Sequence, residues 1–115
     1  MGNEVLCYNT PMEDVKKTIV KFTKDRDWDQ FHSPTNLAKS IAIESGELLE
    51  CFQWNDNFNK EDVCDELADV IIYAILLADK LDVNLEEIII KKMEKNSKKY
   101  PIEKAKGNSK KYTEL

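Results

Sequence analysis

Signals that start and stop helices constrain this sequence of 115 residues more strongly than any other feature. Only three glycines and three prolines interrupt it, and no segment shows sustained two-residue alternation between hairpin turns. Helix starts are predicted where a Ser, Thr or Asn can cap a turn containing Pro or acidic residues, at Thr10, Ser33, Asn59 and Asn84. The sequence therefore predicts an all-α fold.

Apolar residues at helical spacing indicate how far each predicted helix extends. By residue number, the helices span 10 to beyond 22, 33 to about 54, 59 to about 81, and 84 to about 100. Pro101 should end the fourth helix because it cannot continue one, leaving residues 102–115 as an extended tail. We expect a single four-helix bundle domain over residues 1–115. Its large apolar helices favour association with other copies.

Charge is distributed unevenly along the chain. The net charge of -5 and the pI of about 4.9 argue against a general nucleic-acid binder, which needs a basic surface. Between Glu44 and Asp69 nine acidic residues stand against Lys60 alone, whereas nine lysines lie from Lys91 onward. A cation at the acidic centre and a polyphosphate at the basic end would fit this pattern. Solvated helix faces are the alternative explanation.

Two pairs of acidic residues lie three positions apart on helices predicted to be neighbours. Glu44 and Glu47 share a face of the second helix, and Glu66 and Asp69 share a face of the third. A short turn joins these helices, so they should run antiparallel and bring the four carboxylates face to face. An oxygen-only ligand set predicts Mg²⁺, with Mn²⁺ as an alternative.

Cysteine usage and the amino-terminal segment bear on location. Cys7, Cys51 and Cys64 form no Cys-x-x-Cys pair and cannot all pair within one chain, which fits a reducing compartment. The first ten residues lack the basic and apolar regions of a secretory signal. The apolar run 70–78 is shorter than the roughly 20 residues that a membrane-spanning helix needs. We expect a cytoplasmic protein without a membrane partner.

Four ring-bearing residues are candidates for contact with a nucleobase: Trp28, His32, Trp54 and Tyr73. Aromatic rings stack on any base, and His32 can read a base edge. Ordinary core packing is the alternative for Tyr73. Trp28 and Trp54 are flanked by charged or polar residues, which fits core packing less well.

Five segments together are similar to one known family: RDWDQFHSPTNL, ESGELLECFQW, DELADVIIY, KMEKNSKKYP and SKKYTEL. From about Phe22 onward, the sequence resembles the all-alpha MazG-type nucleotide pyrophosphohydrolases, and within them the dCTP pyrophosphatase branch. The resemblance implies a homotetramer, a dimer of dimers with sites at subunit interfaces.

The resemblance also implies roles for individual residues. The two acidic pairs match the family's Glu-x-x-Glu and Glu-x-x-Asp magnesium ligands, and the four ring-bearing residues match positions that enclose the base and sugar. A further group matches a segment expected to meet the phosphates: Asn96, Lys99, Tyr100, Lys110, Lys111 and Tyr112. Many MazG proteins begin the first motif with a Glu-Glu doublet. Here Ile43 precedes Glu44, so a two-metal mechanism is less well supported.

The implied reaction is Mg²⁺-dependent hydrolysis of dCTP, and of 5-modified dCTP, to the monophosphate and pyrophosphate, for sanitation or balance of the nucleotide pool. Glu47, central among the acids, is our hypothesis for the general base or water-positioning group. One alternative is a related pyrophosphohydrolase that prefers dUTP or other non-standard dNTPs. Another is a non-catalytic helical interaction module, in which the acids are solvated or hold a structural ion.

Overall fold

The computed structural model describes residues 10–54 and 56–115, so Cys7, Asn55 and the first nine residues fall outside the described residues. Its helices are α1 (Met12–Asp25), α2 (Pro34–Glu50), α3 (Lys60–Lys80), α4 (Leu85–Lys99) and α5 (Ile102–Ala105). Single 3₁₀ turns cover Asp29–Phe31 and Tyr112–Glu114. These described ranges contain no strand, so the predicted all-α class with four long helices is confirmed.

Side-chain caps explain where three of the helices begin. The side-chain oxygens of Ser33, Asn59 and Asn84 each accept the backbone N–H three residues later, at 3.1, 3.1 and 2.9 Å. Helix α1 begins differently from the prediction. Pro11 occupies the capping position that we assigned to Thr10, and the first helical residue is one position later.

Helix α2 ends at Glu50, four residues before the predicted end near Trp54. The N–H groups of residues 51–53 bond to carbonyls three residues earlier, at 3.2, 3.0 and 3.1 Å, instead of four residues earlier. These tighter bonds close a turn where a further helical turn was expected. The rings of Phe52 and Phe58 then pack together within the connection to α3, with centroids 5.0 Å apart.

The predicted extended tail after residue 101 is wrong, because the segment folds into α5 and a 3₁₀ turn. Pro101 precedes α5 with a φ of -63°, which is typical of proline and suits a helix start. Gly107, with a φ of 82°, follows that helix in the left-handed region that favours glycine. The Tyr112 ring packs edge-on against Tyr100 at 6.1 Å, which folds the tail back onto the end of α4.

The chain divides into two compact units, one extending to Asp82 and the other covering Val83–Leu115. In the first unit, α3 packs mainly against α2 and less extensively against α1. Helices α2 and α3 run antiparallel. The end of α2 therefore lies near the start of α3, where the negative charge of Asp62 contributes to raising the pKa of the Cys51 thiol. The second unit contains α4 and α5. A single domain over residues 1–115 stays a prediction.

The buried core of the first unit is small, with Leu37 fully buried and three α3 residues nearly so: Ile75, Leu76 and Ala78. Large apolar side chains remain exposed on both units, among them Ile43, Leu49, Ile88, Ile89 and Ile90. On α3, Ile71 is 44% exposed, so the apolar run 70–78 is only partly covered by its own chain. No helix in residues 10–54 or 56–115 is long and apolar enough to cross a membrane.

Candidate functional site

Three carboxylate side chains meet between α2 and α3. Glu44, Glu66 and Asp69 each offer one oxygen, and these oxygens lie within 4.8 Å of one another. The spacing of three within α3 puts Glu66 and Asp69 on one face, and the antiparallel packing brings Glu44 opposite them. Glu47, the fourth predicted ligand, is more exposed, and its carboxyl interacts with those of Glu44 and Glu66. These four residues are called the acidic cluster below.

The acidic cluster raises the pKa of the Glu44 carboxyl from 4.5 to about 7. Hydrogen bonding with Glu47 is the largest cause, followed by desolvation and by the negative charges of Glu47, Asp69 and Glu66. Two ionised carboxylates have no donor between them, so this hydrogen bond exists only when one of them keeps a proton. A shared proton thus compensates part of the charge when no cation does.

One oxygen atom on each of two carboxyls of the cluster lacks a hydrogen-bond partner in the described part of the chain. Oε2 of Glu44 and Oε2 of Glu66 are buried and have no hydrogen-bond partner among the described residues. Desolvation is the largest cause of the raised pKa of Glu66, ahead of hydrogen bonding with Glu47. Buried carboxylate oxygens are costly unless a proton or a cation neutralises them. The oxygen-only donor set therefore fits a hard divalent cation such as Mg²⁺ or Mn²⁺.

A cavity of about 360 Å³ lies beside the acidic cluster within the first unit. Its walls come from α1, from the segment that follows α1, and from α3, and they include Phe22, Trp28, His32, Ile72 and Tyr73. Asp69 also lines the cavity. The acidic cluster and the cavity therefore adjoin through one shared side chain.

Tyr73 links the aromatic part of the cavity to the acids. It lies one helical turn beyond Asp69, and its ring meets that of His32 edge-on at a centroid distance of 6.4 Å. Desolvation, and then the charges of Glu44, Asp69 and Glu47, raise the pKa of its hydroxyl. Three of the four ring-bearing residues singled out in the sequence are thus brought together with the acids.

Backbone geometry after α1 places Trp28 at the cavity. Asp27 has a φ of 56°, in the left-handed region that Asp tolerates better than most residues, and it turns the chain. The Thr23 carbonyl accepts the Trp28 N–H at 2.9 Å. The Trp28 ring packs edge-on against Phe22, with centroids 5.7 Å apart.

Two polar contacts hold the 3₁₀ turn that separates Trp28 from His32. Lys80 Nζ, at the end of α3, binds Asp29 Oδ1 at 2.8 Å, and this contact lowers the pKa of Asp29. Asn36 Nδ2 donates to the Phe31 carbonyl at 2.9 Å. The turn is therefore held from α3 on one side and from α2 on the other.

The remaining predicted site residues do not line this cavity. Trp54 follows α2 and is 85% exposed. The predicted phosphate-contacting residues all lie in the second unit, where Lys99 Nζ lies 4.7 Å from the centre of the Tyr112 ring. Asn96 is half-buried there, and the other members of that group are exposed: Lys99, Tyr100, Lys110, Lys111 and Tyr112.

Six residues that line the cavity were not predicted from the sequence as site residues: Thr18, Ile19, Phe22, Thr23, Ile72 and Leu76. A helix face that borders a cavity has the same periodicity as one that borders a core, so no pattern separates the two. Thr23 is the cavity residue for which the sequence does contain a signal. It follows Ile19 by four positions and continues this face with a polar side chain.

Residues 39–115 match the MazG-like family. The chain belongs to this family. Mouse dCTP pyrophosphatase 1 is 38% identical over 91 residues, covering 70% of this chain and 54% of the relative. Human dCTP pyrophosphatase 1 is 37% identical with the same coverage. The chain thus spans about half the length of these curated relatives, and the resemblance to the MazG-like family and its dCTP pyrophosphatase branch is confirmed.

A solved structure extends the similarity to the fold. A pyrophosphatase from Archaeoglobus fulgidus superposes with a TM-score of 0.75 and 38% sequence identity, covering 85% of this chain and 99% of that one. In this MazG-like chain, the acidic cluster and Tyr73 fall inside the residues matched to the family. The α1 wall of the cavity, with Trp28 and His32, precedes them.

Proposed function

We propose that this protein hydrolyses dCTP to dCMP and pyrophosphate in a Mg²⁺-dependent reaction, with 5-modified dCTP as a further substrate. The observation that carries the proposal is the position of Asp69. Its carboxylate meets those of Glu44 and Glu66, and its side chain also lines the aromatic cavity. A nucleotide with its base in the cavity would have its phosphates beside the acids. The relatives named dCTP pyrophosphatase 1 support the choice of base.

Glu44, Glu66 and Asp69 would hold the cation, with Glu47 completing the set. When bound, Mg²⁺ supplies charge neutralisation at the phosphate oxygens. The buried Oε2 atoms of Glu44 and Glu66 support this assignment, because a cation would satisfy them. Mn²⁺ offers the same preference for oxygen ligands and is the alternative ion.

Glu47 would accept the proton of the attacking water or position that water. Its carboxyl lies beside two of the proposed ligands yet remains more exposed than they are, so it can meet a water molecule that enters with the substrate. General-base assistance of this kind contributes about 10²–10⁴-fold in rate. Hydrolysis would occur between the α and β phosphates.

The cavity would receive the base and sugar through Trp28, His32 and Tyr73. Stacking on an aromatic ring is worth about 1–3 kcal/mol per base. The predicted role of Trp54 in substrate binding stays a prediction. Phosphate binding by Asn96 and by the predicted lysines and tyrosines of the second unit also stays a prediction. The exposed ammonium groups of these lysines suit a departing pyrophosphate.

Association into a homotetramer, a dimer of dimers, forms part of the proposal. The exposed apolar side chains on α2 and α4, such as Leu49 at 71% and Ile90 at 59%, support it because association would remove them from water. We place the enzyme in the cytoplasm, acting on nucleotides in the pool and not on nucleic acid.

The test is an equal-concentration panel of dNTPs and NTPs, incubated with Mg²⁺ or with EDTA and scored for monophosphate and pyrophosphate. We expect Mg²⁺-dependent release of pyrophosphate that favours dCTP. Glu47→Gln should retain the fold and lose turnover by a factor of about 10² or more. Glu50→Gln, the same change on the same helix outside the acidic cluster, is the matched control.

Three other outcomes would redirect the proposal. Preference for dUTP or another non-standard dNTP would keep the mechanism and change the base assignment. Full activity of Glu47→Gln would move the proton-accepting role to another group. Absence of turnover on every triphosphate would favour the non-catalytic interaction module.

A further inference from the structure

Thr23 combines three properties within the part of the chain that the structure describes. It is a polar residue only 4% exposed, it lines the cavity, and its hydroxyl donates a hydrogen bond to the Val20 carbonyl at 2.8 Å. Because its single O–H is used by Val20, the oxygen keeps its lone pairs as acceptors. Thr23 therefore adds hydrogen-bond acceptor capacity to the α1 wall of the cavity.

A back-bonded threonine can also be a purely structural residue of a helix. Thr18 also lines the cavity and makes a similar bond, to the Asp14 carbonyl at 2.9 Å, but it is exposed, so water can reach its oxygen. Thr23 is nearly buried, so a polar partner reaches it through the cavity. A base that fills the cavity excludes water from the Thr23 oxygen, so the base itself must supply any hydrogen bond to that oxygen.

Resting on the function proposed above, we propose that Thr23 is a specificity-determining residue. Its hydroxyl oxygen accepts a hydrogen bond from the exocyclic amino group of the base. A keto oxygen at the same place would face another acceptor, unless the Thr23 hydroxyl left the Val20 carbonyl. The apolar residues that line the same cavity, Ile19, Phe22 and Ile72, have no side-chain group that can form a hydrogen bond with the base. A contact with Thr23 therefore favours an amino-bearing base such as cytosine over a keto base such as uracil.

The experiment compares kcat/KM for dCTP and dUTP in the wild type, Thr23→Val and Thr23→Ser. These substrates share sugar and triphosphate, so contributions from the cation and the phosphates cancel in the ratio. Thr23→Val keeps the shape and removes the hydroxyl, and we expect it to lower the dCTP:dUTP ratio about tenfold, chiefly through KM for dCTP. Thr23→Ser keeps the hydroxyl and should keep the ratio.

A matched control and a binding measurement complete the design. Thr35→Val makes the same change at an exposed position on α2, outside the cavity lining, and should leave the dCTP:dUTP ratio unaltered. Binding of dCMP and dUMP in EDTA, followed by quenching of tryptophan fluorescence, reports base preference without turnover, because Trp28 lines the cavity. The monophosphate preference should fall in Thr23→Val as the kinetic ratio does.

A folded Thr23→Val protein that retains the wild-type ratio would overturn the role of Thr23, as would an equal loss of the ratio in Thr35→Val. Circular dichroism and thermal melting establish folding, and Thr23→Ala replaces Thr23→Val if the latter does not fold. Failure of the proposed function is a separate result. A wild type that turns over no triphosphate would refute the enzyme, while the monophosphate binding ratio would still decide the role of Thr23.

Discussion

If the proposed metal site is correct, proton binding and cation binding compete at the carboxyl of Glu44. Its Oε2 is buried without a partner and its pKa is raised to about 7, so its charge is poorly compensated in the metal-free protein. We predict that Glu44→Gln raises the melting temperature in EDTA by a few degrees. About 1 kcal/mol corresponds to roughly 4 °C in a domain of this size. The same change should remove most of the stabilisation that Mg²⁺ confers on the wild type.

Differential scanning fluorimetry with EDTA and with a Mg²⁺ series measures both effects. Glu50→Gln, on the same helix, is the control and should leave the Mg²⁺-induced shift intact. A Glu44→Gln protein that melts lower than wild type in EDTA, or that keeps the full Mg²⁺ shift, contradicts the assignment.

The raised pKa of Glu44 also predicts a pH dependence of stability in the absence of metal. Below about pH 4.5 the folded and unfolded states both keep the proton. As the pH rises from 4.5 to about 7, the unfolded state ionises while the folded state retains the proton, so stability falls over this window and the loss is complete above it. The gain in melting temperature of Glu44→Gln over wild type, in EDTA, should therefore be larger at about pH 8 than at about pH 5. Equal gains at both pH values would rule out this linkage.

At the scale of elements, helix α3 carries most of the site, since it provides two acids, Tyr73 and one wall of the cavity. Its start depends on Asn59, whose side-chain oxygen accepts the Asp62 N–H at 3.1 Å. We predict that Asn59→Ala lowers the free energy of unfolding by about 1 kcal/mol, because an N-terminal N–H of the helix loses its acceptor. Urea denaturation measures this change. Asn59→Asp keeps an acceptor and should stay near wild type, and equal losses in both variants would show that the cap is not the cause.

For the whole molecule, exposed apolar surface is the feature that the isolated chain leaves unexplained. We predict that light scattering will give a mass near four times 13.4 kDa at micromolar concentration. Leu49→Glu, which places a charge on a side chain 71% exposed in the single chain, should lower that mass if α2 contributes to the interface. Lys39→Glu, an exposed change on the same helix, is the control. A mass of 13.4 kDa at every concentration would contradict the tetramer.

Local chemistry explains why the sequence alone determined most helix starts and the pairing of the acids. The caps at Ser33, Asn59 and Asn84 bond to groups three residues away, so the pattern contains both partners. The spacing of the acidic pairs likewise follows from helical periodicity. The early end of α2 and the folded tail depended on which turn bonds form, and these compete closely with continued helix or extended chain.

Only the tertiary structure decided which chemical groups meet. Residues far apart in sequence, such as Thr23 and Asp69, come to line one cavity because α1 and α3 pack together, and apolar periodicity does not distinguish a cavity from a core. Burial of single oxygens of Glu44 and Glu66 also arises from packing between helices. The sequence thus determined the types of residue available for the site. The packing of α1, α2 and α3 determined their distances, desolvation and electrostatic coupling, because these depend on contacts between segments distant along the chain.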